Sequence, residues 1–495
     1  MEPISRRAAL TLGGLGLAGT VFGGAGVLWT LSSPDTAQPP PGEQFAQPAE
    51  LRSANGRLQL RLDAARSPAQ IGGRSANALS YNGGTPGPTL RLKPGDRLGV
   101  TLHNGLDDPT NLHVHGLHVS PESNGDNPFV MVEPGASFDY DYHLPADHPP
   151  GPYWYHPHHH GLVANQIFGG LYGAIIVEDP DPIEVSQERV LVISDITLDA
   201  LGNIPGVSPM EQMLGREGEL VLVNGQLNPR LNARPAERER WRIVNACVSR
   251  YLRLRLDGQR LQLLGIDSGR FRTPEVVEEV RLAPGNRADL LVTMVAGTAV
   301  LRTLAYDRGG AGGMMGGGER PRSGTPAGGA SLATLTVAGE PAATAPAIPA
   351  QSEPRDLRGA AVTAQRELTF AMGMGGMMGG MMGGGGGMMS FTINGREFAA
   401  DRVDTTVEAG SVEEWTLNNT SPMDHPIHLH VWPMQVIEAG GRPLDSVIWQ
   451  DVVNVPAHSQ VRVRIAFDDF AGRSVYHCHI LDHEDQGMMG VVEVR

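Results

Sequence analysis

From about residue 50 onward, apolar and polar positions follow one another in short β-prone runs that end at Gly, Pro, Asn or Asp. In "RLQLRLDAA" the leucines Leu58, Leu60 and Leu62 alternate with polar residues, the period-2 pattern of a half-buried strand. "PTLRLKPGDRLGVTLHNG" and "YGAIIVEDP" continue it, and the same grammar resumes at "RVLVISDITLD", "ELVLVNGQ" and "VRLAPGNRADLLVTMV". The pattern predicts an all-β protein.

A weak internal repeat organises these runs. "LKPGDRLGVTLHN", "ARPAERERWRIVNA" and "VEAGSVEEWTLNN" share a turn, a charged pair, a strand and a closing Asn. A period of roughly 140 to 180 residues predicts three similar β domains rather than a solenoid. Their expected bounds are 47–182, 183–340 and 363–495, with the Pro/Ala-rich stretch 341–362 as a linker. Two glycine-methionine tracts interrupt the pattern, at 309–320 and 371–390. Residues 1–46 read as a targeting signal and linker outside the fold. Arg6-Arg7 precede a glycine-rich, weakly hydrophobic stretch, the twin-arginine export pattern, which implies a periplasmic or extracellular protein. Residues 8–31 are also long enough to anchor the chain if the signal stays uncleaved.

Composition narrows the function. Of 495 residues 19% are charged and 5% aromatic, with 64 Gly and 38 Pro, a loop-rich β composition. A formal charge of −15 disfavours nucleic acid and anionic membranes and favours cationic partners. Two cysteines give no disulfide framework; Cys247 is expected to be a small buried residue.

The histidines carry the chemistry. All 17 lie at 103–160 or 425–483, and residues 161–424 contain none, so the first and last domains must share what they do. Four clusters each hold an H-x-H pair: His113 and His115; His156 and His158; His428 and His430, preceded by His425; and His477 and His479, followed by His483. On a strand, such a pair places two imidazoles on one side. Imidazole suits Cu, Zn, Fe and Ni, but Cys478 narrows the choice. One thiolate, two imidazoles and a weak thioether make a blue-copper centre, and Cys478, His483 and Met488 stand at C-x4-H-x4-M. His425 is the natural second imidazole; zinc is the runner-up metal. His103, His118, His143, His148 and His458 are expected to be ordinary solvated or hydrogen-bonded side chains, as are His159 and His160.

H-x-H-G, H-x-H, H-P-x-H-x-H and H-C-H-x3-H-x4-M, in this order, resemble the multicopper oxidases over nearly the whole chain from residue 50. "YNGGTPGPTLRLKPGD" and "LAPGNRADLLV" are similar too. The resemblance implies three cupredoxin-like Greek-key β-sandwich domains and four copper ions, one type 1, one type 2 and two type 3. The type 1 copper would take His425, Cys478, His483 and Met488. His113 and His428 would hold type 2. His115, His156 and His479 would hold one type 3 ion, and His158, His430 and His477 the other. Glu484 and Asp126 are implied as proton-delivering acids. The implied reaction is one-electron oxidation of a donor coupled to four-electron reduction of O2 to water.

The donor is a small reductant: Cu(I), a phenol or Fe(II). Met372, Met374, Met377, Met378, Met381, Met382, Met388 and Met389 lie among glycines that cannot build a core, and soft thioethers select Cu(I). The tract resembles the Met-rich insertion of copper-efflux oxidases, and Met423 and Asp424 precede His425. A cuprous oxidase acting in copper tolerance is therefore expected, with a laccase-like oxidase as the alternative. A non-catalytic copper-binding protein stands behind both. A monomer is expected.

Overall fold

A computed structural model describes residues 42–310, 329–374 and 389–495. The expected export segment, apart from residues 42–46, lies outside these, as do Met377, Met378, Met381, Met382 and Met388. Three two-sheet β-sandwiches follow one another, pairing a four- with a five-stranded sheet in the first and a six- with a five-stranded sheet in the others. In each, one long strand pairs in parallel with the strand of the sequence repeat. The pairs are Arg57–Ile71 with Arg97–Gly105, Gln187–Ile196 with Arg238–Asn245, and Ala364–Met374 with Val412–Asn419. Alternate side chains of these strands fill three separate cores, one per sandwich.

The closing asparagines of the repeat have a common physical role. Asn104, Asn245 and Asn419 are buried, and each amide ties the loop after its strand. Asn419 Nδ2 donates to the carbonyls of Met423, Val455 and Pro456, while Oδ1 accepts from Ser421 N. Asn104 and Asn245 repeat this with Leu106 N and Cys247 N on the acceptor side. Asn419→Ala would orphan several buried groups, and chemical denaturation should show a loss of about 1–3 kcal/mol.

One expectation needs correction. Residues 42–46 are not outside the fold. Gly42 N donates to Asn228 O, Phe45 N to Arg230 O, and the Phe45 ring packs on the middle core. A Pro-rich run can lie extended along a sheet edge, and composition alone cannot distinguish that from a free linker. The 341–362 stretch has no strand or helix, but it too is tied down, with Leu357 buried and its N–H on Gln435.

Three short helices gather beside the third sandwich: α1 (Val163–Gly169), α2 (Pro209–Leu214) and α3 (Leu481–Asp485). Asp485 on α3 accepts from the N–H groups of Gly161, Val163 and Ala164, capping α1 across the domain boundary. Arg216 forks onto Asp482 of α3 and reaches Asn165 of α1, so one guanidinium joins all three sandwiches. Among the described residues no helix is long and apolar enough to cross a membrane.

Candidate metal centre

The register of four strands builds the site. His113–His115 pairs with Gly151–His156, placing His113 opposite His156. His425–Leu429 pairs with Gly472–Cys478, placing His428 opposite His477 and Ile427 opposite Cys478. Alternation then sends Cys478 and Ile427 into the third core, and His428 and His477 the other way. The strand stops at Cys478; His479 leaves it, its N–H on Pro426 O at 2.6 Å.

On the core side, Cys478 Sγ lies 3.3 Å from His425 Nδ1 and 3.9 Å from His483 Nδ1. The far nitrogens are engaged: His425 Nε2 contacts Ser421 Oγ at 2.7 Å and His483 Nε2 the carbonyl of Met213 on α2 at 3.1 Å. The carbonyl can only accept, so it fixes the proton on His483 Nε2 and turns the Nδ1 lone pair to the sulfur. Phe391 stacks on the His483 ring at 4.4 Å. Met488 is fully buried in the same core, whereas Met489 belongs to another cluster. Burial lowers His425 to about 3, holds His483 far below the usual imidazole range and raises the Cys478 thiol.

On the other face eight imidazoles converge, all buried. The Nε2 atoms of His158, His430 and His477 lie 3.1–3.2 Å from one another. His113 and His428 approach Nε2 to Nε2 at 3.4 Å, and His115 Nδ1 lies 3.4 Å from His156 Nε2. His479 stands 5.0 Å from the His115 ring, with both nitrogens lacking a hydrogen-bond partner, as does His430 Nδ1. Several rings spend their remaining N–H outward: His156 on Pro157 O, His428 on Asp451 O, His477 on Cys478 O. Lone pairs therefore face lone pairs at contact distance. Neutral imidazoles cannot bond to one another that way, and burial followed by neighbouring imidazoles keeps His113, His158 and His430 neutral. Cations among these nitrogens resolve the conflict, and the residues present fit copper: a thiolate–imidazole–thioether pocket beside an all-imidazole one.

Both expected acids are at this cluster. Asp126 holds His113 Nδ1 at 2.9 Å and accepts from Val114 N; burial raises it to about 8. Glu484 is fully buried, 3.4 Å from His477 Nδ1 and 3.6 Å from His158 Nε2. Burial and then Asp485 push its carboxyl well above the usual range, favouring the protonated form.

Met423 and Asp424 do not form a shared open site. Met423 is fully buried in the third core, and Asp424 is taken by Tyr306 Oη, Asn454 Nδ2 and Ala457 N. Neighbours in an extended segment point to opposite sides. Met372 and Met389 pack partly buried against that core; only the backbone of Met374 is described. Of the histidines set aside, His118 spans Val431 O and Asp469, and Cys247 is buried as expected.

The histidine-free middle sandwich supplies groups that the sequence did not reveal. Met213 contributes a backbone carbonyl, which carries no residue signature. Arg287 forks from this sandwich onto Asp451 of the third, which lies beside His115; they stand in "PGNRAD" and "WQDVV", where nothing marks a ligand's neighbour.

Two facing cupredoxin-like sandwiches with a Cys/His pocket and a shared histidine cluster define a copper oxidoreductase. Multicopper oxidase family profiles match residues 64–182, 193–300 and 368–495. A multicopper oxidase of Staphylococcus haemolyticus is 28% identical over 85% of this chain and 84% of its own. A Bacillus subtilis laccase is 26% identical over 84% and 89%. The solved structure of a Campylobacter jejuni multicopper oxidase, reported as a metallo-oxidase, superposes with a TM-score of 0.79 at 31% identity, covering 93% of this chain and 97% of that one. The chain belongs to the multicopper oxidases: it is an oxidoreductase that uses O2 and holds copper.

Proposed function

We propose that this oxidase takes electrons from Cu(I), as part of copper tolerance, and reduces O2 to water with four coppers. His425, Cys478, His483 and Met488 would hold the type 1 ion, and His113 and His428 the type 2 ion. His115, His156 and His479 would hold one type 3 ion, and His158, His430 and His477 the other. Copper supplies the one-electron steps that side chains cannot. The chain supplies the path, because Cys478 is bonded directly to His477 and His479. Glu484 supplies a proton at the cluster, and Asp126 orients His113. Glu484→Gln should slow O2 turnover while leaving anaerobic bleaching of the blue band by the donor unchanged.

The observation that carries Cu(I) as donor is the cover over His483. The ring is fully buried, its Nε2 rests on the Met213 carbonyl, and Phe391 closes one face. A bulky phenol has no imidazole to touch. The covering helix α2 also offers the thioether of Met210, 45% exposed, to a soft ion. The description of the Campylobacter relative as a metallo-oxidase supports the same reading.

The test compares initial rates on Cu(I), Fe(II) and a phenol, for the natural chain and for one with residues 375–388 replaced by a Gly-Ser linker. Cu(I) should be the fastest donor and should lose most on replacement. Undiminished Cu(I) oxidation would sink the role of the tract, and a phenol faster than both metals would establish the laccase-like alternative. We further propose a monomer exported by the twin-arginine route. Arg6→Lys with Arg7→Lys should leave it in the cytoplasm, as fractionation would show.

A further inference from the structure

One buried side chain of the middle sandwich braces the histidine cluster. Arg287, on the strand Arg287–Thr293, is fully buried. Its guanidinium forks onto Asp451, Nη1 to Oδ1 at 2.5 Å and Nη2 to Oδ2 at 2.6 Å. Nε donates to Pro152 O at 3.1 Å, Nη1 lies 3.2 Å from Asp267, and the group sits over the Tyr153 ring. All three sandwiches therefore meet at this residue.

Asp451 passes the constraint on. Its Oδ1 lies 3.1 Å from His115 Nε2, and its backbone carbonyl accepts from His428 Nδ1 at 2.8 Å. A carboxylate held by a guanidinium can only accept from His115, so Nε2 carries the proton and Nδ1, facing His156, keeps its lone pair. Asp267 also accepts from the N–H groups of Asp451 and Val452, pinning the backbone that carries the carbonyl. Glycines leave the room required. A Cβ on Gly116, at φ +84°, would lie 2.3 Å from Arg287 Nη2 and 2.8 Å from Asp451 Oδ2. One on Gly285, at φ +87°, would lie 2.8 Å from His479 Nε2. The glycine of H-x-H-G thus makes space for an arginine from another domain.

We propose that Arg287 is a positioning residue of the oxygen-reducing site: through Asp451 it sets the tautomer of His115 and the placement of His428. The proposal rests on the reading that the histidine cluster holds copper. A lysine keeps the charge but not the planar fork, so Arg287→Lys isolates the geometric role.

The experiment loads the natural chain, R287K and D451N with copper, and measures copper per chain after chelator challenge. It also records the type 2 electron paramagnetic resonance signal, the blue band, and KM for O2 against kcat. R287K should keep the blue band and lose cluster copper about 10- to 100-fold more readily. Its type 2 signal should be altered, and its KM for O2 raised more than kcat is lowered. D451N, which changes no heavy-atom count, should move the same readouts and carries the test if R287K does not fold. A natural chain retaining only one copper overturns the reading of the cluster and the proposal together. Cluster copper in the natural chain, with variants matching it in retention, type 2 signal and KM for O2, overturns the proposal alone.

Discussion

A copper-loaded Cys478→Ser chain will lack the intense thiolate-to-copper band near ~600 nm and will consume no O2 with any donor. The substitution removes one soft sulfur from a pocket that is otherwise complete. His425 and His483 keep Nδ1 turned inward through Ser421 and the Met213 carbonyl, and Met488 stays in the core. A buried serine hydroxyl does not ionise, so no anionic ligand remains to hold the metal or pass charge to His477 and His479. The cluster on the opposite face should keep its copper, since backbone and histidines are unchanged, and copper content should fall by one ion per chain. Stability of the metal-free chain should change by about 1 kcal/mol or less, because the side chain is small and its shape is kept. Turnover at the natural rate without the band would refute the assignment of Cys478.

The metal-free chain will unfold on mild acidification, with a midpoint between about pH 4.5 and 6, and copper loading will move the midpoint to lower pH. Eleven buried histidines have pKa values below the usual range, to about 3 for His148, His156 and His425 and about 4 for His477, with burial the largest cause. An imidazole whose folded pKa is depressed binds its proton in the unfolded chain first. Its stabilising share is therefore present above about pH 6.5 and is lost as pH falls toward the folded value. Each such group contributes about 1.4 kcal/mol per pH unit in that window, so several together exceed the usual net stability of about 5–15 kcal/mol. Carboxyls act oppositely. Asp126, near 8, and Asp267 and Asp485, near 7, bind protons in the folded chain between about pH 4 and their folded values, and burial raises Asp195 and Glu484 in the same direction, so their share is lost as pH rises. Five carboxyls are too few to offset eleven histidines. Circular dichroism of the metal-free chain from pH 7.5 to 4 tests this, and an unchanged signal down to pH 4.5 would refute it.

The two halves of the site differ in how legible they were. Cys478, His483 and Met488 lie within one turn-and-strand segment, where spacing alone constrains which side chains can meet. His477 precedes the cysteine on a strand, so alternation sends it to the opposite face, and His479 follows just past the strand's end. Pro-rich composition describes a chain's conformation and not what it lies against, so nothing local marks residues 42–46 as packed on the middle sandwich. Met423 and Asp424 are adjacent in sequence, but extended neighbours point apart.

What the sequence determined by itself was the all-β class, the threefold repeat with its closing asparagines, and the set of histidines, cysteine and methionine available to copper. Those follow from local periodicity and from the few side chains able to bind copper. Tertiary structure decided the rest. It brought His158 against His477, put Met213 over His483, and sent Arg287 past Gly116 to Asp451. Such contacts join residues hundreds of positions apart, often through backbone carbonyls, and are set by how sandwiches pack rather than by any local pattern.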